Sequence, residues 1–262
     1  SADMLQNTGN VFIQKSQAGG GSPVLRGFEA NKVLLVVDGV RMNNAIYRGG
    51  HLQDAITVDN NLIERTEVVY GPSSVIYGSD ALGGVVHFFT KKPLLSYEDK
   101  TNLKVNAFVR TSTANEEKTT HADFNIGFKN IAFLTSITYS DFGDTRTGNL
   151  RSPYDTAFGK RYYYVERINN IDSMMRNPDY NVQKFTGYNQ LDIMEKIRLR
   201  QNENMEHTIN FQYSTSSDIP RYDRLSEYSG KKLKFAEWYY GPQNRLLASW
   251  NTEIRSENKL VD

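Results

Sequence analysis

The stretch Ile63–Pro93, IERTEVVYGPSSVIYGSDALGGVVHFFTKKP, is the most informative part of this chain. β-Branched and aromatic residues predict one strand at Glu64–Tyr70 and another at Val85–Thr90, each ended by a turn that contains proline. Between them, Val75–Tyr77 is a short apolar, strand-like segment that glycines close on its far side. We therefore expect a compact unit of short strands held together by glycine turns rather than a large hydrophobic core.

The sequence upstream of this stretch extends the same small unit. Val33–Val37, VLLVV, predicts a strand that is buried on both faces, and Asp38-Gly39 predicts a tight turn after it. Val11–Gln14 predicts a short strand, and Asp54–Ile63 has room for one or two helical turns. Together these elements predict a small α+β domain over residues 1–95.

Three segments of this domain resemble, in order and spacing, the plug domain of TonB-dependent outer-membrane receptors. They are YGPSSVIYGSDALGGVVHF from Tyr70, PVLRGF from Pro23 and VLLVVDGVR from Val33, and the resemblance covers about residues 1–93. Tyr70 stands where the family usually has Arg or Lys, which removes the basis for a charge contact with the barrel at that position. The resemblance implies that Arg26, in the LRGF segment, is a plug–barrel contact.

After Pro93 the pattern changes to alternation of apolar and polar residues, which is typical of strands with one apolar face. Residues 101–262 contain about six such strands, separated by long polar loops near 142–187 and 215–242. The six are Leu103–Val109, Ala122–Phe128, Ile131–Tyr139, Leu191–Leu199, Ile209–Tyr213 and Leu246–Trp250.

The connections between these strands are moderate, tight, long, tight and long, which favours an outer-membrane barrel over a soluble β-sandwich. In such barrels the periplasmic turns are short and the extracellular loops are long. Six strands are too few to close a barrel, and plugged transporters have about 22 strands. The predicted fold is therefore a small α+β plug followed by antiparallel transmembrane strands, as a fragment of a 22-stranded plugged barrel. We expect the native N-terminus and a TonB box to lie upstream.

Composition excludes several other classes of protein. The formal charge of +1 provides no electrostatic basis for binding nucleic acid, and the absence of cysteine excludes disulfide scaffolds and cysteine catalysis. No apolar run approaches the length of a membrane helix, about 18 residues. Ser73, Asp80 and His87 lack a nucleophile elbow, and the glycines at 78–84 form no P-loop. We therefore predict that the protein is not an enzyme and has no intrinsic cofactor.

His51 is the candidate ligand-binding residue. Its loop, RGGHLQ, is similar to the plug loop of haem and haemoglobin receptors, in which a histidine in a GHL context serves as an axial haem ligand. An imidazole is a common axial donor to haem iron. Tyr47 would stack on the macrocycle or act as an alternative ligand, and Arg41 or Arg48 would pair with the haem propionates.

The remaining histidines and the glycines have structural interpretations. His87 is interpreted as a polar residue of a plug strand, and His121 and His207 as residues near strand ends. Six glycines are expected to supply positive φ angles in tight turns: Gly27, Gly39, Gly71, Gly78, Gly83 and Gly84.

The resemblance implies TonB-dependent active import of a scarce nutrient across the bacterial outer membrane. The transported ligand is predicted to be haem or haem taken from a haemoprotein. The alternatives are a cobalamin or ferric-siderophore receptor, or a lipoprotein-paired glycan or peptide importer. The implied partners are the inner-membrane TonB complex, outer-membrane lipids, and a surface lipoprotein or haemoprotein that delivers the ligand. A passive porin or adhesin is disfavoured by the plug segments.

Overall fold

The two largest sheets of the computed structural model differ in chemistry. One lies within residues 1–95, the predicted plug, and the other lies after them. The structure describes residues 5–6, 11–15, 18–29, 32–42, 54–71, 74–78, 81–98 and 100–255. Within these described residues, the strands of the plug are β1 Phe12–Gln14, β2 Ser22–Val24, β3 Val33–Val37, β4 Val40–Arg41, β5 Ile63–Tyr70 and β6 Gly84–Thr90. Two 3₁₀ turns, Asp54–Thr57 and Asn60–Leu62, precede β5, and the helical turn α1, Ser74–Tyr77, follows it.

Strand β3 is the centre of the plug sheet, whose order is β4-β3-β6-β5. It runs parallel to β6 and antiparallel to β4, and all five of its residues are buried. Val33, Leu35 and Val37 pack on one face with Phe88, whereas Leu34 and Val36 pack on the other with Val85. The aliphatic run therefore forms a strand with two small cores, as its unbroken hydrophobicity predicts. The prediction of a strand-like segment at Val75–Tyr77 is wrong, because these residues lie in the helical turn α1.

The second sheet, which we call the wall, contains six long antiparallel strands in the order β20-β15-β14-β9-β8-β7. Each strand pairs with its neighbours along the wall. The wall strands are β7 Asn102–Ser112, β8 Glu117–Gly127, β9 Ile131–Phe142, β14 Tyr188–Asn202, β15 Met205–Ser216 and β20 Asn244–Ile254. The shorter strands of the two long loops are β10 Thr145–Arg146, β11 Tyr163–Ile168, β12 Ile171–Arg176, β13 Val182–Gln183, β16 Ile219–Pro220, β17 Tyr228–Ser229, β18 Lys232–Leu233 and β19 Tyr239–Tyr240.

The wall is amphipathic in the opposite sense from a soluble sheet. Along β8 and β9 the side chains that face the plug are mostly polar and buried, among them Thr119, His121, Ser136 and Thr138. The opposite face exposes large apolar side chains: Leu103, Val105, Val109, Phe124, Ile137, Tyr139, Leu199, Ile209, Phe211, Leu246 and Trp250. An apolar outer face of this extent is what a lipid-facing barrel strand presents, alternating with a polar interior.

The loops are sorted by length onto the two ends of the wall. The connections at residues 128–130 and 203–204 are tight turns, and the plug enters the wall at that end, where Ser96 N–H donates to the Phe128 carbonyl oxygen at 3.0 Å. The long connections, 143–187 and 217–243, lie at the other end. The first contains a β-hairpin, β11–β12, which the sequence interpretation as a plain polar loop missed. No helix in the described part of the chain has both the length and the apolar composition needed to cross a bilayer.

Candidate functional site between plug and wall

The residues predicted to bind ligand lie around one plug loop, and most fall outside the described residues. This applies to Tyr47, Arg48 and His51, for which ligand binding stays a prediction. Arg41 is described: it ends β4, is exposed, and places its guanidinium beside Gly78. A Cβ atom on Gly78 would stand 3.3 Å from Arg41 Nη1, so this glycine leaves room for the arginine.

Arg26, the predicted plug–barrel contact, has its described contact within the plug. Its guanidinium carbon lies 5.0 Å from the centroid of the Tyr70 ring, a cation–π distance. Tyr70 occupies the position where a basic residue was expected, so the aromatic ring attracts Arg26 where a second cation would repel it. The contact of Arg26 with the barrel stays a prediction.

The glycines have two different roles. Five of the six named from the sequence have positive φ: Gly27, Gly39, Gly71, Gly78 and Gly84. Gly83 is not among them, and its reason is a close approach, since a Cβ there would lie 2.3 Å from Phe28 Cβ. Gly84 combines both constraints, with φ +140° and a virtual Cβ only 2.5 Å from the Val69 carbonyl oxygen.

Asp38 connects the plug to the wall. It lies in the β3–β4 turn with φ +47°, a left-handed conformation that Asp tolerates better than most residues. Within the plug its Oδ1 accepts from Thr90 N–H at 2.9 Å and its Oδ2 from Thr90 Oγ1 at 2.6 Å. Oδ2 then reaches the wall, at 3.0 Å from Lys196 Nζ, 3.0 Å from Asn210 Nδ2 and 3.1 Å from Gln212 Nε2.

The pair Asp38–Lys196 is shielded from solvent, because the Lys196 side chain is only 4% exposed. Lys196 Nζ also lies 3.4 Å from the Thr90 carbonyl oxygen, so the plug supplies both of these oxygen partners. A buried ammonium is costly unless it is paired and hydrogen-bonded. The plug therefore satisfies a charge on the wall that would otherwise face an empty interior.

A second network of polar side chains joins plug and wall. In its ion pair the plug supplies the cation and the wall supplies the carboxylate. Lys91 Nζ of the plug donates to Asp123 Oδ2 at 2.7 Å, and the same oxygen lies 2.9 Å from His121 Nε2. His121 Nδ1 lies 2.6 Å from Thr138 Oγ1, which donates to Asp59 Oδ2 of the plug at 2.5 Å. The placement of His121 near a strand end is wrong, because it lies inside β8 and is fully buried.

His87 and His207 have structural contacts of other kinds. The Gly39 N–H donates to His87 Nε2 at 3.0 Å, so the ring nitrogen needs a lone pair, and burial lowers the pKa of His87. His207 faces outward near the tight turn at 203–204 and bridges Gln201 and Thr252. Neither contact points to ligand binding.

Two cavities lie between plug and wall. The cavity nearer the long loops, which we call the outer cavity, has a volume of about 580 Å³. It is lined by plug residues such as Asp59 and Asn60 and by wall residues that include Gln190 and Asp192. The inner one, of about 290 Å³, is lined by Asp38, His87 and wall residues that include Lys196 and Arg198. The plug thus touches the wall through discrete contacts and leaves polar spaces between them.

Comparison with known proteins identifies the family. The family model described as "TonB-dependent Receptor Plug Domain" matches residues 1–85. The chain is 34% identical over 178 residues to the vitamin B12 transporter BtuB of Vibrio vulnificus, and this covers 62% of the chain and 28% of that protein. It is 36% identical over 121 residues to the heme/hemopexin utilization protein C of Haemophilus influenzae, and this covers 45% of the chain and 16% of that protein.

The matched residues, 1–85, are the plug domain of a TonB-dependent receptor. The fold of the chain agrees, since it superposes on the FrpB iron transporter of Neisseria meningitidis with a TM-score of 0.63 at 16% identity, covering 96% of this chain and 34% of that chain. A ferric enterobactin receptor mutant from Pseudomonas aeruginosa gives a TM-score of 0.62 at 18% identity, covering 98% and 36%. The chain therefore spans about a third or less of these relatives. As receptors of this family do, it resides in the bacterial outer membrane.

The two long receptor loops pack against each other through apolar and aromatic side chains. Val165 of the first loop packs with Leu233 and Ala236 of the second, and Arg161 donates to the Leu225 carbonyl oxygen at 3.2 Å. Aromatic side chains also pack within each loop, as Tyr164 does on Phe185 and Trp238 on Phe235. These contacts make the loops an ordered rim.

The contacts that sequence reasoning missed are those between plug and wall. Asp38 was interpreted only as a turn residue, and Lys196 only as a polar residue in the alternation of its strand. The sequence contained only a weak signal for these contacts. The inward positions of β14 and β15 carry a lysine, an asparagine and a glutamine, but any polar residue would suit the interior of a barrel. Pairing them with Asp38 requires contacts across more than 150 residues of sequence.

Proposed function

We propose that this chain works as the plug and part of the barrel of an importer that moves haem, or haem taken from a haemoprotein, across the outer membrane. The observation that carries import is the polar contact between plug and wall. An extended apolar interface would hold the plug in place, whereas hydrogen bonds and ion pairs exchange readily for water when the plug is pulled. The outer membrane has no nucleotide supply, so the energy would come from the inner-membrane TonB complex and the proton-motive force.

Haem is favoured as the transported ligand by His51 and by the relatives. Two relatives have names that refer to haem, the Haemophilus protein above and the hemin receptor of Yersinia enterocolitica, which is 40% identical over 91 residues. An imidazole at position 51 supplies an axial donor, and Arg41 and Arg48 supply cations for the propionates.

A second candidate ligand is cobalamin. It is favoured by the relative named as a vitamin B12 transporter, whose match covers 62% of the chain, against 45% for the Haemophilus protein. A ferric siderophore, and a glycan or peptide imported together with a surface lipoprotein, are further candidate ligands. A surface lipoprotein or haemoprotein partner belongs to this proposal as the source of ligand.

The test is ligand titration of the intact receptor with haemin, cyanocobalamin and a ferric catecholate. Haemin should bind and give a Soret band typical of axial histidine ligation. His51→Ala should shift that band and weaken binding, while the matched control His207→Ala should leave both unchanged, because His207 lies on the outer face of the wall. Unchanged coordination in His51→Ala would remove His51 from the site. Binding of cyanocobalamin alone would replace haem with the second candidate.

Import itself is tested by uptake of the bound ligand into cells that carry the receptor. Uptake should stop on addition of an uncoupler or on loss of TonB, while surface binding persists. Uptake that continues without TonB would contradict energy-driven import and would point to a passive channel.

A further inference from the structure

The two cavities between plug and wall meet the same wall strand. Among the described residues, β14 is the wall strand that lines both: Gln190 and Asp192 face the outer cavity, and Lys196 and Arg198 face the inner one. The outer cavity otherwise extends towards β7, β8 and β9, and the inner one towards β15 and β20. The two spaces therefore approach each other only along β14.

What separates them on β14 is a single inward side chain. Asp192, Met194 and Lys196 are successive inward positions, and alternate residues of a strand are spaced by about 7 Å. Met194 is fully buried and forms a small apolar cluster with Leu62 of the plug and Leu134 of β9. This cluster is distinct from the two cores of the plug sheet.

This cluster is apolar, whereas the cavity linings on both sides of it are polar and charged. The outer cavity has Asp59, Arg110 and Glu117 on its surface, and the inner cavity has Lys92 and Glu253 besides the Asp38–Lys196 pair. Such charged linings hold water and suit a charged, hydrated ligand. A three-residue apolar contact between two polar spaces is the arrangement of a constriction that blocks passage until its parts separate.

We propose that β14 lines the route by which ligand passes the plug, and that Leu62, Leu134 and Met194 form the gate of that route. Separation of Leu62 from Met194 would join the two cavities into one polar passage along the wall. The Asp38–Lys196 pair lies at the inner side of the gate and would have to part or swing aside as it opens. This proposal rests on the proposed import function.

The first test locks the gate covalently. These 262 residues contain no cysteine. In the intact receptor, with any cysteine elsewhere replaced, a Leu62→Cys/Met194→Cys pair can be bridged with a reducible bis-methanethiosulfonate. The control pair, Leu94→Cys/Asn125→Cys, ties the C-terminal end of the plug to β8, where Asn125 Oδ1 accepts from Leu94 N–H at 2.7 Å. Uptake is measured with whichever probe the unbridged receptor imports, namely haemin, cyanocobalamin or a ferric catecholate.

The bridged gate pair should bind ligand normally but lose uptake, and reduction should restore uptake. The bridged control pair should retain uptake. Full uptake through the bridged gate would overturn the proposal, and so would loss of uptake with both bridges, because that would indicate movement of the whole plug. A receptor that imports no probe even when unbridged would instead count against the proposed import function.

The second test does not depend on bridging geometry. Met194→Cys alone should react with a membrane-impermeant maleimide faster during energised uptake than in the presence of an uncoupler. Ala132→Cys, which is equally buried on the inward face of β9 but outside both cavity linings, should show no such difference. Equal labelling of Met194→Cys in the two conditions would overturn the gate.

Discussion

In the plug, β3 buries five consecutive aliphatic residues, whereas the inward face of β8 in the wall buries Thr119, His121 and Asp123 and leaves Phe124 exposed on the other side. The plug sheet buries apolar side chains, as a sheet of a protein in water does. The wall does the reverse, since it buries polar side chains and exposes apolar ones. The two sheets are therefore stabilised by different surroundings. The plug has an apolar core, to which the wall contributes Leu247. The wall needs lipid outside and mostly polar contacts with the plug inside.

The greatest loss of stability should come from removing packing in the plug core. Phe88→Ala should lower the free energy of unfolding of the plug by about 3–5 kcal/mol. The reason is that Phe88 is fully buried in the apolar cluster on one face of the plug sheet. Phe89→Ala is the matched control, since Phe89 lies on the opposite face, where the Arg65 guanidinium carbon stands 3.7 Å from the centroid of its ring. Denaturant titration of the intact receptor with a fluorophore on the plug checks both, and equal losses would contradict the core assignment.

The next effect concerns the charge contact that joins the two regions. Asp38→Asn keeps the side-chain shape but leaves buried Lys196 without its carboxylate, which should cost about 3–5 kcal/mol. Lys196→Met should cost less, because the Asp38 carboxylate keeps hydrogen bonds from Thr90, Asn210 and Gln212.

The double variant Asp38→Asn/Lys196→Met completes this measurement. It should be more stable than Asp38→Asn alone, because no unpaired charge remains, and the coupling follows from a double-mutant cycle. Strictly additive losses would mean that the pair does not connect plug and wall. Denaturant titration and the protease sensitivity of the plug give the two readouts.

A third prediction sets the two faces of one wall strand against each other. Ile137→Arg, on the outer face and near the middle of β9, should destabilise the intact receptor in a bilayer by about 2–4 kcal/mol. Its inward neighbour Ser136 has a buried hydroxyl with no hydrogen-bond partner among the described residues, so Ser136→Ala should be nearly neutral. Urea titration in lipid vesicles measures both, and a neutral Ile137→Arg would place that face in water.

A smaller change is expected in the pH dependence that His87 contributes. Burial lowers its pKa below the ordinary value, so its stabilising contribution is present above the unfolded pKa, about 6.5, and is lost as pH falls through the folded pKa. Glu67 and Asp38 oppose this shift, and Arg65 adds to it. The plug should therefore be less stable in acid, and His87→Asn should flatten that part of the pH profile. A slope unchanged in His87→Asn would assign it to other groups.

Much of this fold follows from sequence because it is periodic. The unbroken VLLVV of β3, the alternation in the six wall strands and the sorted loop lengths are all local patterns, and the first long loop begins and ends within a residue of its predicted bounds of 142 and 187. The hairpin β11–β12 was not predicted, because its polar strands do not have one apolar face.

The candidate site was less accessible to sequence reasoning, for two physical reasons. Inward wall residues are polar whether or not they pair with the plug, so Lys196 and His121 carry no distinguishing pattern. Their partners in the plug lie far away in the chain. Asp38 contacts Lys196 directly, and Asp59 reaches His121 only through the Thr138 hydroxyl. Ligand specificity rests on single residues such as His51, which resemblance alone brings to attention.

Whether the wall faces lipid outside and the plug inside can be measured by a nitroxide scan along β9 of the intact receptor in lipid vesicles, with single cysteines placed from Ile131 to Phe142. Label accessibility should alternate with a period of two. Labels at Phe133, Thr135 and Ile137 should collide with dissolved oxygen from the lipid, while labels at inward positions such as Leu134 and Ser136 should be shielded from both oxygen and a water-soluble nickel complex. Strong collisions of the outward labels with the nickel complex would show a wall that faces water, and the barrel assignment would then be wrong.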